Sequence, residues 1–260
     1  MPVEKPIAKE ISSLFRSATV SCMDEGYEPA LGEIHFGLVA SGVTKKEGGN
    51  IEMYSLEDRL LMEKARPVIL RGLRWVADMM GIVGNLKVTS HQSCGGAGAQ
   101  GIGEDNVADL TKIQSVVGDK RIVFANHIPY KEKAEEVPDD SDITDNQVYA
   151  RMTRKPEDHH HTADRIEITI GGGIDHTEKI DEQHKNSFII SAEWIPYALQ
   201  NGLTKEDITR ILKLQMGIAI KIMRRDLPVA IFDAGRLPAH IVEENRKIVV
   251  DILQSLTSSN

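Results

Sequence analysis

The chain has 260 residues, a formal charge of −8, and 41% hydrophobic, 27% charged and only 5% aromatic residues. That length and mix suit a single globular domain over 1–260 with an aliphatic core and no need of a disulfide framework. The acidic balance argues against a binder of nucleic-acid backbones. No apolar run approaches the roughly 18 residues of a membrane span, and the N-terminus lacks a secretory signal, so a cytoplasmic, membrane-free protein is expected.

The spacing of Ile7, Ile11, Leu14 and Phe15 predicts a short amphipathic helix over 3–16. Residues 18–22 read as a buried strand, ending at Cys22 in the turn-like Met23-Asp24-Glu25-Gly26. Residues 33–42 predict a second strand that stops at Gly42, and 43–53 a loop rich in glycine and lysine. Ser55 with Asp58 forms a capping signal for a long helix over 56–80, with Pro67 expected to kink or split it and Gly81 to end it. A third strand over 85–91 leads into His91, Cys94 and the glycine-rich 95–101. Alternating strands and helices predict an α/β fold with a parallel sheet, whose chemistry sits at the carboxyl ends of the strands.

Residues 120–126 read as a further strand and 131–165 as a polar, acidic surface excursion. The clean alternation over 165–170 predicts a half-exposed strand, and 188–194 another. Thr204 with Asp207 caps a helix carrying Ile208, Ile211, Leu212, Gln215, Ala219 and Ile222 on one face. A strand over 227–232 and an amphipathic helix over 240–256 close the chain, and no internal repeat is visible.

Two pairs carry the candidate chemistry. Cys22-x-Asp24 ends one strand and His91-x-x-Cys94 ends another. Thiolate and imidazole are the donors that Zn²⁺ prefers, and three protein ligands leave a fourth position for water or for Asp24. The competing reading makes both cysteines buried bystanders. Gly95 to Gly103 has no P-loop lysine and fits a dinucleotide motif poorly. His159, His160 and His161 read as a solvated loop, and Gly171-Gly-Gly173 with Asp175 and His176 as a flexible turn rather than a second polar site.

These motifs resemble the β-class carbonic anhydrases. In that family a strand ends in Cys-x-Asp-x-Arg, a second ends in an Asn-Ala-Gly loop, a helix follows, and another strand ends in His-x-x-Cys-Gly. Here the matching stretches are Ala18-Thr-Val-Ser-Cys-Met-Asp24, 33–42, 69–81 and Leu86-Lys-Val-Thr-Ser-His-Gln-Ser-Cys-Gly95, with 229–237 loosely similar to the family's last strand. The resemblance implies a β-carbonic-anhydrase-like sheet flanked by helices, with 102–200 inserted. It implies zinc at Cys22, His91 and Cys94, hydration of CO2 to bicarbonate, a dimer or larger assembly, and Asp24 orienting or deprotonating the metal-bound water. Backbone groups at Gly42, Gly95 and Gly96 would contact substrate or anion. COS or CS2 hydrolysis on the same site is a sister reading.

The departures are specific. Gly26 stands where the family has the arginine that keeps the aspartate off the metal, and 39–42 reads Val-Ala-Ser-Gly. Arg71, Arg74 and Arg121 are the candidate substitutes. If none reaches Asp24, the site is closed by four ligands, Cys22, Asp24, His91 and Cys94, and the protein is a zinc-bearing pseudoenzyme or binding module. A dithiol redox role for Cys22 and Cys94 ranks last, since no CxxC supports it.

Overall fold

The computed structural model describes residues 15–23, 26–38, 54–89, 117–124, 151–152, 161–181 and 183–257. It is a mixed α/β structure built on two parallel sheets. The first sheet contains β1 (Ser17–Ser21), β3 (Glu33–Gly37), β4 (Leu86–Val88) and β5 (Ile122–Phe124), in the order β3-β1-β4-β5. A short antiparallel pair joins β2 (Tyr27–Glu28) to β6 (Arg151–Met152). The second sheet contains β7 (Arg165–Thr169), β8 (Ser187–Ser191) and β9 (Val229–Phe232), in the order β8-β7-β9.

The helices are α1 (Leu56–Met79), α2 (His176–Ile180), α3 (Ile195–Gln200), α4 (Lys205–Met223) and α5 (Ala239–Thr257). Two of the long helices, α1 and α4, begin where their capping residues dictate. Asp58 donates its backbone N–H to the Ser55 hydroxyl at 3.1 Å. Thr204 and Asp207 satisfy each other's backbone N–H at 3.0 Å in both directions, a full capping box. Gly81, at φ 77°, ends α1, and Ile82 donates to the Ala77 carbonyl at 3.0 Å. The helix runs as one element through Pro67 and is not split there.

The two sheets repeat one topology. In each, the first strand is central, the second lies on one side, a capped helix crosses over, and the third strand lies on the other side. The registers coincide as well. Ser17 pairs with Glu33 and Ala18 with Leu86, and in the same way Arg165 pairs with Ser187 and Ile166 with Val229. Bonds outside the ladders repeat too. Arg16 N donates to Gly32 O and Leu38 N to Ser21 O, matched by Asp164 N to Asn186 O and Ala192 N to Thr169 O. The sequence hides this repeat, which is one of topology and register.

The units meet across β3 and β8 and share one apolar core. His35 N donates to Ile174 O at 2.7 Å, and Ile189 N to Met23 O at 2.9 Å. A Cβ on Gly37 would lie 1.9 Å from Ile189 O, so this approach requires glycine. On α1, a Cβ on Gly72 would meet the Trp194 Cβ at 2.9 Å.

Two further expectations are corrected. The strand at 165–169 is not half-exposed. Glu167 and Thr169 are buried, because Glu167 accepts a 2.7 Å contact from His184 Nδ1 and Thr169 pairs with the Ser191 hydroxyl. Gly171, Gly172 and Gly173 form a packed turn, with Asp233, Met80, Arg236 and His35 standing where side chains would go. The range 102–200 contains β5, which belongs to the first sheet, and β7 and β8, which build the second. The predicted helix at 3–16 lies outside the described residues except for Phe15 and Arg16, which are not helical and run into β1.

Candidate metal centre

Cys22 follows β1, the strand flanked by β3 and β4, and its reduced thiol is buried. The β1 end is held on both sides. Thr89 N donates to Val20 O at 2.9 Å, and Leu38 N to Ser21 O at 2.9 Å. The ladder pairs Val20 with Val88, so Cys22 and the chain leaving β4 toward His91 lie at the same edge of the sheet. This is the carboxyl edge, where open parallel sheets place their sites. Asp24, Gly42, His91, Cys94, Gly95 and Gly96 lie outside the described residues. Among the described residues, no group of three metal-ligating side chains comes together.

Beneath Cys22 lies a buried polar layer that the sequence reading did not single out. The Tyr27 and His35 rings lie 4.4 Å apart, centroid to centroid, and both residues are inaccessible to solvent. Burial pushes the His35 pKa well below its usual value. The Lys179 ammonium adds to this, and the Cys22 backbone beside the ring works the other way. The ring is therefore neutral at neutral pH. Burial and then the Glu33 carboxylate raise the Tyr27 phenol, while the Thr89 and Ser21 hydroxyls oppose them. Glu33 accepts from the Thr19 hydroxyl and from Ala30 N at 3.2 Å, and lies 3.8 Å from Lys87 Nζ. The available signal was the polar-apolar alternation of Glu33-Ile-His35-Phe-Gly37 in a strand whose two faces are both buried.

The three substitute arginines are committed elsewhere. Arg71 donates to Val117 O at 3.2 Å. Arg74 pairs with Asp78 at 2.6 Å and donates to the Ile82 and Gly84 carbonyls. Arg121 binds Asp78 at 2.9 Å and Asp119 at 3.3 Å. Leu86 N donates to Arg121 O, so Arg74 and Arg121 hold the amino ends of β4 and β5, opposite the edge that carries Cys22.

The other polar clusters are structural. Asp175 and Glu178 form the capping box of α2 and bind Arg236 Nη2 at 2.9 and 2.8 Å. His176 Nδ1 lies 3.0 Å from Pro29 O, and the His161 ring lies against Phe188. No helix among the described residues is long and apolar enough to cross a membrane. No family model, no curated protein and no solved structure matches this chain.

Proposed function

We propose that the chain is a zinc-dependent, carbonic-anhydrase-like lyase that hydrates CO2 to bicarbonate. The observation that carries this reading is the placement of Cys22 at the carboxyl end of β1, beside the strand that leads to His91 and Cys94. The donor chemistry fits: two thiolates and an imidazole make a soft set for a tetrahedral ion, and the described donor, Cys22, is a buried reduced thiol on a rigid strand end. When bound, zinc supplies the Lewis acidity that generates hydroxide near neutral pH. The chain's own residues hold and orient. Cys22, His91 and Cys94 fix the ion. Asp24 orients the attacking water or accepts its proton. Backbone groups at Gly42, Gly95 and Gly96 receive the anionic product. COS and CS2 are alternative electrophiles for the same site.

A second reading is favoured by the arginines. Gly26 offers no cation to Asp24, and Arg71, Arg74 and Arg121 are engaged as described above. A carboxylate two residues from a thiolate ligand, with no arginine at position 26, would be drawn to the ion by simple Coulomb attraction. The resting site is then closed by Asp24, and hydration is weak at neutral pH.

The test of the proposal is a CO2-hydration assay on protein of measured metal content. About one zinc per chain is expected, lost in Cys94→Ser together with any activity. Metal-free protein purified without chelators would overturn the proposal. Zinc-replete protein with negligible activity selects the closed site.

A further inference from the structure

We infer that the second unit is a metal-free copy of the first, standing where a second subunit would stand in a symmetric dimer. The zinc half of this inference rests on the function proposed above. The pairing half rests on the fold alone.

In a twofold dimer every contact occurs twice, once from each side. The junction approximates this within one chain: the two donors are equivalent by register, and the two acceptors stand three positions apart. His35 is the third residue of β3, and Ile189 is the third residue of β8. Each donates its backbone N–H to the loop that follows the other unit's central strand, at Ile174 O and Met23 O. The equivalent edge strands therefore face each other, and each central-strand loop is clasped by the opposite unit. Matching registers and matching helix caps place the three strands and the long crossover helix of the two units in correspondence, while β5, α2 and α3 have no counterpart among the described residues.

That correspondence locates the counterparts of the proposed ligands by counting from the paired residues. Cys22 corresponds to Ile170, His91 to Ala234 and Cys94 to Leu237. None of the three side chains can bind a metal ion. Asp24 corresponds to Gly172. The space at that strand edge is also filled by packed side chains, one of them, Met80, from the end of α1 in the first unit. A Cβ on Gly171 would lie 2.0 Å from Asp233 Oδ1, and one on Gly172 would lie 2.7 Å from Met80 Sδ. Arg236 closes the edge through Gly173 O, Asp175 and Glu178. The second unit has thus exchanged ligands for packing. What it keeps is the hydrogen bond from Ile189 to Met23, which fixes the residue after the proposed ligand Cys22. The two units thus pair inside a single chain, with one proposed metal site instead of two.

Native mass spectrometry of the full chain, purified without chelators, tests this together with a variant that restores the ligands, Ile170→Cys with Ala234→His and Leu237→Cys. The wild type is expected as a single chain of 28.8 kDa carrying one zinc, and the triple variant as a single chain carrying two. A two-chain wild-type species, a wild type with two zincs, or a variant that has the wild-type circular dichroism and still holds one zinc would overturn the inference. If the variant does not fold, the wild-type mass and zinc count decide alone. A metal-free wild type of single-chain mass would sink the zinc proposal and leave the internal pairing standing.

Discussion

His35 is held neutral by its surroundings. It lies in the layer under Cys22, with the Tyr27 ring on it, the Lys179 ammonium in its field, and no solvent. Its folded pKa is depressed, whereas an unfolded histidine titrates near about 6.5. Below that pH the unfolded chain takes up a proton that the folded chain refuses. The stability linked to His35 is therefore fully present above about pH 6.5 and is lost as the pH falls toward the folded pKa. Thermal melts from pH 7.5 to pH 5 are expected to fall more steeply for the wild type than for His35→Gln. Parallel profiles would show that His35 does not titrate on unfolding.

At Gly26 the prediction concerns activity. If Asp24 closes the site, Gly26→Arg supplies the missing cation, withdraws the carboxylate and admits water. CO2 hydration at neutral pH should rise at least about tenfold, equivalent to ~1.4 kcal/mol in the barrier. A wild type already fully active, with no gain in the variant, contradicts closure and leaves the three-ligand assignment intact.

Two mid-helix glycines separate packing from propensity at the scale of the element. Gly72 on α1 packs against Trp194, the residue before α3, and a methyl group there meets the indole-bearing Cβ and the backbone. Gly217 on α4 has nothing within 4 Å of where its Cβ would be. Gly217→Ala should stabilise by about 0.5–1 kcal/mol, the ordinary helix-propensity gain. Gly72→Ala should destabilise by about 1–3 kcal/mol, because overpacking outweighs propensity. Denaturant midpoints on the two variants check the opposite signs. At the start of α4, Thr204→Ala removes half of the capping box and should lower stability by about 1 kcal/mol. An unchanged midpoint would mean that water replaces the hydroxyl without loss.

For the molecule as a whole, local patterning carried the elements of both units well and their relation to each other poorly. The strands around Cys22, the two capped helices and the Gly81 stop have strong local signals, and they lie within a few residues of where the sequence places them. The strand at 165–169 misled because its polar residues are buried in pairs, so alternation did not mean exposure. The repeat stayed hidden because the connections differ in length and because Cys22, His91 and Cys94, the most recognisable residues of the first unit, have Ile170, Ala234 and Leu237 at the corresponding positions of the second. The layer of Tyr27, Glu33 and His35 left only the alternation of Glu33-Ile-His35-Phe-Gly37 as a signal, because its polar side chains are buried in the fold.

The central claim is that Cys22, His91 and Cys94 bind one zinc ion. X-ray absorption at the zinc edge on the purified full chain tests it most directly. The account predicts two sulfur scatterers and one imidazole nitrogen, with an oxygen in the fourth position, and loss of one sulfur or of the metal in Cys22→Ser. A zinc shell without sulfur, or one unchanged in Cys22→Ser, would contradict it.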